Sequence, residues 1–463
     1  MNPRVFREYD IRGVADRDFP DDFVSDLGAA IGRHLYEAGS RRVCLGRDAR
    51  ISSPRISTLI QARLLDAGLD VVDVGILHSP GLYFSVFHLN SDGGVMVTAS
   101  HNPSEDNGFK IMRGKNAVFG EEIQELRRRI ERDRAGEKAP TVPRGKLIHT
   151  DILTPYIDYI VNNIKPGKSR LKVVVDAGNG TGGISCVPIL QRLGFDVDPL
   201  FCDADGRFPN HHPDPTVPEN NAALIARVKE IGADLGIALD GDADRVGAVD
   251  GNGRIVWGDQ LVVLFAREIL KRKPGSTFIS EVKCSAGLYD EIAKAGGTAI
   301  MYRVGHSIMK QKLKDSGAEL AGEMSGHIFF ADRWFGFDDG VYAAARLCEL
   351  ISNEGLSLSE MVDTLPVFFN TPELRLECPD EIKFEVVTRA VAWYKARHEV
   401  NDIDGARVTF PGGWGLIRAS NTGPVVVLRC EADSPERLAT IRAELEGRLA
   451  TLRAEVEKER AES

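Results

Sequence analysis

Short apolar runs alternate with amphipathic stretches along the chain as far as residue 366. The apolar runs are rich in valine, isoleucine and leucine, which is typical of buried strands, and the stretches between them predict helices. The predicted strands lie at 42–45, 70–74, 94–97, 172–176 and 233–239 and around residues 278 and 300, and the predicted helices at 55–67, 121–133, 259–271 and 339–352. This alternation favours parallel or mixed sheets with helices on both faces.

The pattern changes after Pro366, where a strand at 373–377, a helix at 382–397, strands around residues 408 and 426 and a charged helix from Ser434 are predicted. The chain is also too long for one ordinary domain. We therefore expect three related mixed α/β domains followed by a smaller α+β domain. The expected boundaries are 1–146, 147–254, 255–366 and 367–463.

A serine stands where one apolar run leaves the predicted sheet. The run at 94–97 is followed by the hexapeptide Thr-Ala-Ser-His-Asn-Pro at 98–103, whose third residue is Ser100. A serine in such a loop, with backbone N–H groups and Lys110 near it, can carry a phosphoryl group as a covalent intermediate. Taken alone, the segment is more typical of a turn with a helix cap.

Three carboxylates follow another apolar run. Asp240, Asp242 and Asp244 alternate with Gly and Ala, and Arg245 comes next. Hard oxygen ligands separated by small residues suit Mg²⁺, and the arginine would stabilise phosphoryl oxygens beside it. The alternatives are a turn of solvated charges and a helix-loop-helix calcium site, but position 251, where that calcium loop needs a glutamate, is glycine.

Two further polar loops have the chemistry of a sugar-phosphate site. Residues 322–327 place Glu323, Ser325 and His327 between small residues, which suits fixed contacts with sugar hydroxyls. Residues 418–424, which begin with Arg418, combine a forked cation with hydroxyl and amide donors between two predicted strands. Each loop by itself is also compatible with an ordinary hairpin turn.

These four motifs, in this order, resemble those of the α-D-phosphohexomutases, and most closely the bacterial phosphomannomutase/phosphoglucomutase group. The resemblance runs from the segment 6–13 (Phe-Arg-Glu-Tyr-Asp-Ile-Arg-Gly) to the loop at Arg418, which is essentially the whole chain. It implies four domains around a central cleft, with one motif supplied by each domain. It also implies that the last domain moves as a hinge, because the sugar must enter, turn and leave.

The resemblance implies a mechanism as well. Phosphorylated Ser100 donates its phosphoryl group to a hexose phosphate, and the resulting hexose 1,6-bisphosphate turns around and returns its other phosphoryl group. Glucose 1,6-bisphosphate would serve as activator, and Mg²⁺ would be the metal. The implied metal ligands are Ser100, Asp240, Asp242 and Asp244; the implied catalytic residues are Ser100, Lys110, Arg245 and His306; and the implied substrate-binding residues are Tyr9, Arg12, Lys283, Glu323, Ser325, His327, Arg418, Ser420, Asn421 and Thr422.

The general base must remove a proton from a sugar hydroxyl. Lys110 and His306 are the two candidates, since histidine titrates near neutrality and neighbouring cations lower the pKa of a lysine. A surface lysine and a helix-capping histidine are the alternative interpretations of these two residues.

Three alternative functions fit parts of this pattern. A metal-dependent sugar phosphatase uses the same serine and metal, but it has no need for both the Glu323 loop and a distant phosphate cradle. A non-catalytic sugar-phosphate binding protein has no need for Ser100 and three aspartates. Within the mutases, phosphoglucosamine mutases typically carry Gln where this chain has Met324. Arg303 departs from the lysine that related enzymes often have.

Composition and charge limit the class of protein. The net charge of −10 argues against a nucleic-acid surface, so the cleft must be locally positive for an anionic hexose phosphate. The seven cysteines form no CxxC pair and suit reduced thiols. The sequence shows no apolar run of membrane-spanning length and no N-terminal signal region. We therefore expect a cytoplasmic enzyme without membrane or nucleic-acid partners, as a monomer or weak homo-oligomer.

Overall fold

Four β-sheets follow one another along the chain in the computed structural model, which describes residues 1–137, 141–421 and 423–462. The first three sheets are flanked by helices and contain both parallel and antiparallel pairs, whereas the fourth is antiparallel. The expected fold class, three mixed α/β units and a smaller α+β unit, is therefore confirmed.

The first sheet has its parallel strands in the middle and an antiparallel hairpin at one side. Its order is β1-β5-β4-β2-β3-β7, with β6 paired to β5. The strand β7 lies beyond the expected boundary at residue 146. The elements are β1 (Ile11–Val14), α1 (Ala15–Asp18), α2 (Asp21–Glu37), β2 (Arg42–Arg47), α3 (Ser53–Asp66), β3 (Asp70–Ile76), α4 (Ser79–His88), β4 (Gly93–Val97), β5 (Asp106–Arg113), β6 (Asn116–Ala117), α5 (Glu121–Arg134) and β7 (Leu147–His149).

The second sheet repeats this plan in the order β12-β11-β10-β8-β9. The glycine-rich segment 178–183 connects its first strand to a helix, as a tight turn. The elements are α6 (Leu153–Asn163), β8 (Lys172–Asp176), α7 (Gly183–Arg192), β9 (Asp196–Leu200), α8 (Ala222–Ile231), β10 (Leu235–Leu239), β11 (Val246–Asp250) and β12 (Ile255–Val256).

The third sheet has the order β14-β13-β15-β16. Its elements are α9 (Gly258–Arg272), β13 (Thr277–Glu281), α10 (Ala286–Lys294), β14 (Thr298–Tyr302), α11 (His306–Ser316), β15 (Leu320–Gly322), β16 (Ile328–Phe330), α12 (Gly340–Glu354) and α13 (Leu358–Asp363). In all three units a parallel strand turns back as an antiparallel hairpin, at β4–β5, β10–β11 and β15–β16. Ser100, the three aspartates and Glu323 each lie in the loop of one of these hairpins.

The fourth unit is an antiparallel sheet covered by two helices, and the Arg418 loop joins its last two strands. Its elements are β17 (Phe369–Asn370), β18 (Leu374–Glu377), α14 (Asp380–Lys395), β19 (Val400–Asn401), β20 (Ala406–Phe410), β21 (Gly413–Ala419), β22 (Val425–Ala432) and α15 (Pro435–Ala461).

The apolar core clusters do not correspond one to one with the four units. One large core joins side chains of α4 to those of the second and third units, and the fourth unit has a core of its own. A small cluster of Val282, Trp414 and Leu416 packs the third unit against the fourth. Within the described ranges, none of the helices has both the length and the apolar character that crossing a bilayer requires.

Candidate active site

The loops that end the four sheets meet in one place. Ser100 of the first unit donates a hydrogen bond from Oγ to Asp240 Oδ2 of the second at 2.7 Å. Arg245 of the second unit donates from Nε to His327 Nε2 of the third at 2.9 Å. Asn421 of the fourth unit donates to the Tyr9 hydroxyl at 2.9 Å. The site is therefore assembled by contacts between units and belongs to none of them alone.

The backbone of Ser100 is held in a conformation that L-residues rarely adopt. Its φ is +52°, in the left-handed region, and its N–H donates to Thr98 Oγ1 at 2.9 Å. Opposite it stands Gly241, where a Cβ atom would lie 2.3 Å from the Ser100 carbonyl oxygen. This close approach of two backbones turns the hydroxyl toward the aspartates and leaves Ser100 only 2% exposed.

The three aspartates converge because Ala243 between them also has a positive φ, +54°. All three side chains are fully buried. Asp240 Oδ2 accepts from Ser100 Oγ and its Oδ1 accepts from the Arg245 N–H, whereas Asp242 Oδ1 and Asp244 Oδ1 have no hydrogen-bond partner. One carboxylate oxygen from each aspartate lies within 4.8 Å of the other two, and such a buried set fits a divalent cation that prefers oxygen ligands.

Lys110 lies on β5 and reaches across to the same carboxylates. Its Nζ donates to Asp242 Oδ2 at 2.6 Å and to Asp244 Oδ2. Burial lowers the pKa of Lys110, but Asp242 and Asp244 outweigh burial and hold the pKa well above its usual value. The neighbouring cation Arg12 does act to lower this pKa, as expected, but the net direction is upward, so Lys110 is a cation in this arrangement.

His306 and His327 stack with their ring centroids 5.5 Å apart, beside the aspartates. His327 Nε2 accepts from Arg245, so a neutral His327 carries its proton on Nδ1, which lies 3.0 Å from Asp338 Oδ2. Burial, aided by Lys310, lowers the pKa of His306 well below its usual value. His306 is therefore neutral, and its Nε2 is buried without a hydrogen-bond partner.

The N-terminal segment links the units through backbone carbonyls. Tyr9 donates its hydroxyl to Val304 O at 2.8 Å, and Arg12 donates from Nη1 to Ala99 O and to Asn102 Oδ1. Burial raises the pKa of Tyr9 to about 12. Both residues predicted to contact substrate thus lie at the site, where they also hold the Ser100 loop and the third unit in place.

The loop at Glu323 is closed by its own side chains. Glu323 Oε1 accepts from the Gly305 N–H at 2.9 Å and Oε2 accepts from Ser325 Oγ at 3.1 Å. Behind it, Lys283 Nζ forms an ion pair with Glu373 of the fourth unit at 3.1 Å. This pair connects the third and fourth units beside the predicted sugar contacts.

The Lys283–Glu373 pair gives a pH-dependent contribution to stability. Attraction by Lys283 lowers the pKa of Glu373 to about 2, from 4.5. The pair therefore stabilises the folded chain fully above pH 4.5 and loses its effect as pH falls toward 2. We expect Glu373→Gln to remove on the order of 2 kcal/mol of this acid-dependent stabilisation, seen as a shallower fall of the calorimetric Tm below about pH 5.

Glu377→Gln is the matched control, because Glu377 ends β18, the strand that follows Glu373, and is exposed. An equal acid dependence of Tm in wild type and Glu373→Gln would contradict the assignment.

Arg418 is buried at the base of the fourth unit's loop. Its Nε donates to Asp404 Oδ2 at 3.2 Å, and Ser420 N–H donates to Val425 O across the hairpin. Thr422, the last residue predicted in this loop, lies outside the described residues. Asn421, in the same loop, donates to the Tyr9 hydroxyl and so connects the loop to the N-terminal segment.

Sequence reasoning did not identify two residues that the structure places at the site. Asp338 lies against His327, His306 and Lys310, and Arg50 lies under the Ser100 loop. A signal for Arg50 was present, since it follows β2 and the carboxyl ends of neighbouring parallel strands meet at one edge of a sheet. Asp338 carried no such signal, since it precedes a helix and reaches the site only through packing.

Comparisons with known proteins point to one family over most of the chain. Family descriptions of phosphoglucomutase/phosphomannomutase match in chain order: alpha/beta/alpha domain I at 3–137, domain II at 154–253, domain III at 257–368 and the C-terminal domain at 373–448. A phosphomannomutase/phosphoglucomutase of Pseudomonas putida is 45% identical over 95% of this chain and 94% of its own length. A phosphoglucomutase of Neisseria gonorrhoeae is 44% identical over 95% of each chain.

A solved structure gives the same result for the fold. A phosphoglucomutase/phosphomannomutase family protein of Burkholderia thailandensis superposes with a TM-score of 0.90 over 98% of each chain, at 40% identity.

Proposed function

The chain belongs to the phosphoglucomutase/phosphomannomutase family, and from this premise we propose that it interconverts the 1-phosphate and 6-phosphate of glucose and mannose through a phosphoserine at Ser100. The observation that carries the proposal is the hydrogen bond from Ser100 Oγ to Asp240. It places a strained, buried hydroxyl against a cluster of carboxylates with unpartnered oxygens. A hydroxyl in that position is suited to carry a phosphoryl group next to a metal.

Asp240, Asp242 and Asp244, with an oxygen of phosphorylated Ser100, would hold Mg²⁺. When bound, the ion supplies Lewis-acid charge neutralisation at the phosphoryl oxygens. The donor set consists of oxygens only, which is the chemistry Mg²⁺ prefers.

The chain's own residues supply positive charge, a general base and two sets of substrate-binding contacts. Lys110 and Arg245 add positive charge at the transferring group. The proton of the attacking sugar hydroxyl passes to a general base, for which His306 is the candidate. The hydroxyl oxygen forms its bond to phosphorus, and the bond from phosphorus to Ser100 Oγ breaks as that oxygen takes up a proton. The reverse transfer to Ser100 follows after the hexose 1,6-bisphosphate has turned around.

Two sets of contacts, one with the sugar hydroxyls and one with the remote phosphate, explain why turnover gives isomerisation. Glu323 and Ser325, with Lys283 and His327 nearby, would hold sugar hydroxyls in either orientation. Arg418, Ser420, Asn421 and Thr422 would bind the phosphate that does not react, whichever end carries it. Binding energy from this remote phosphate is used to orient the reacting end.

A phosphorus NMR experiment tests the proposal. The purified protein is incubated with Mg²⁺, glucose 1-phosphate and a trace of glucose 1,6-bisphosphate as activator, and then with mannose 1-phosphate and glucosamine 1-phosphate. Conversion of the first two sugars to 6-phosphates supports the proposal. Release of inorganic phosphate identifies a phosphatase, and conversion of glucosamine 1-phosphate alone identifies a phosphoglucosamine mutase.

Arg418→Lys is expected to raise KM for glucose 1-phosphate about 10- to 100-fold with a small effect on kcat. Lysine keeps the charge but not the forked pair of donors that matches a phosphate. Steady-state kinetics at saturating Mg²⁺ measures the two constants. The control is Arg453→Lys on α15, where the arginine pairs with Glu457 at the surface. A kcat loss at constant KM would contradict the assignment of Arg418 to the remote phosphate.

A further inference from the structure

We propose that Arg50 is a positioning residue for Ser100: its single guanidinium group holds the backbone of the loop that carries the nucleophile. The inference rests on the proposed role of Ser100. Arg50 lies in the turn between β2 and α3, and its side chain is fully buried.

The contacts of Arg50 are almost all with backbone carbonyls of one short loop. Its Nη2 donates to Ser100 O at 2.8 Å and to Asn102 O at 2.6 Å. Its Nη1 donates to Asp106 O at 3.0 Å and to Pro103 O. One planar group thus satisfies four carbonyl oxygens between residues 100 and 106, which no other side chain type can do.

The guanidinium group is itself fixed from the opposite side. Its Nε donates to Asp48 Oδ2 at 3.1 Å, and Asp48 Oδ1 accepts from the Arg50 N–H and from Ser53 Oγ. Asp48 N–H in turn donates to Val97 O at the end of β4. The charge of Arg50 is therefore balanced, and its position is tied to the strand that leads into Ser100.

The second unit covers Arg50 and completes its surroundings. The Phe208 ring lies 5.0 Å from the guanidinium carbon, and a Cβ at Gly206 would lie 2.4 Å from Arg50 Cα. The Ser100 loop is thus held between its own unit and the unit that supplies the aspartates. This arrangement explains how Ser100 keeps its positive φ with Oγ on Asp240.

The test is Arg50→Lys, which retains a positive charge but offers one compact ammonium group in place of a fork. We expect kcat to fall about a hundredfold, because small displacements of a reacting group have effects of this size. KM for glucose 1-phosphate stays within about twofold, since the remote phosphate grip is untouched. Hydrogen exchange followed by mass spectrometry is expected to show faster exchange of the amides at 100–107.

Arg55→Lys is the matched control, because Arg55 lies on α3 of the same unit and contacts Asp21 and Phe19 O. It is expected to leave kcat and exchange at 100–107 unchanged. Phe208→Leu, at a half-buried position, is the second variant in case Arg50→Lys does not fold. It is expected to lower kcat about fivefold with faster exchange in the same segment.

Folded Arg50→Lys with wild-type kcat, or a kcat loss without faster exchange at 100–107, would overturn the proposal. If Arg50→Lys does not fold, wild-type kcat or unchanged exchange in Phe208→Leu would also overturn the proposal. Ser100→Ala, measured in parallel, separates failure of the proposed function from failure of the role of Arg50. Full activity of Ser100→Ala removes the proposed function itself, whereas an inactive Ser100→Ala beside a fully active Arg50→Lys removes only the role of Arg50.

Discussion

Ser100→Ala is expected to lower kcat at least about a thousandfold, with the dissociation constant of glucose 1-phosphate changed less than about threefold. In the proposed mechanism this hydroxyl carries the phosphoryl group, and no other hydroxyl is shown bonded to Asp240 in the described part of the chain. Substrate affinity is expected to persist because most of the proposed sugar and remote-phosphate contacts lie in the third and fourth units. Stopped assays give kcat, and isothermal titration gives the dissociation constant.

The control for this variant is Ser104→Ala on the same loop, where the hydroxyl donates to the neighbouring Glu105. Intact-mass measurement after incubation with glucose 1,6-bisphosphate adds an independent readout. A phosphoryl adduct is expected in wild type and Ser104→Ala and not in Ser100→Ala. Undiminished turnover by Ser100→Ala, or an adduct on it, would remove Ser100 from the mechanism.

Asp242→Asn is expected to lower kcat about a hundred- to a thousandfold and to weaken divalent-metal binding at least about tenfold. Asp242 Oδ2 already accepts from Lys110 and Ser79, so Oδ1 is the oxygen left for a cation. An amide removes the negative charge that offsets Lys110. Titration with Mn²⁺, followed by electron paramagnetic resonance of the free ion, measures metal affinity without reference to activity.

Asp198→Asn is the matched control for this metal test, because Asp198 lies on β9 in the same sheet and pairs with Arg227. It is expected to keep wild-type Mn²⁺ affinity and kcat. Unchanged Mn²⁺ affinity in Asp242→Asn would exclude Asp242 as a ligand, even if activity were lost.

Local sequence was sufficient to predict the central strands of the first two sheets and several long helices because strand and helix periods are short-range signals, but helices such as α2, α4 and α7 were not predicted. The observed helix ends differ from the predicted ends by one or two residues. For example, α3 begins at Ser53, two residues before its predicted start, because Pro54 is favoured in the first turn of a helix. Loops at strand ends were also predictable, since Ser100 and the aspartates directly follow buried runs. The joining of these loops by hydrogen bonds between units is a tertiary property that the pattern only implied.

Charge states could not be derived from the sequence. The pKa of Lys110 depends on carboxylates more than a hundred positions away, and proximity in the chain gives no sign of them. The role of Arg50 was missed for a similar reason, because its hydrogen-bond partners lie about fifty positions further along the chain. Residues that act through long-range contacts were therefore missed or given the wrong protonation behaviour.

The three hairpin loops have a consequence for how such a chain can acquire new chemistry. The strand orders β3-β2-β4-β5, β9-β8-β10-β11 and β14-β13-β15-β16 follow one plan, and each functional loop joins the last two strands of its plan. A loop between adjacent antiparallel strands can change sequence without disturbing the buried faces of the sheet. A chain made by copying one ancestral unit twice could therefore divide its labour among identical positions, giving one copy the nucleophile, the next the cation and the third the sugar.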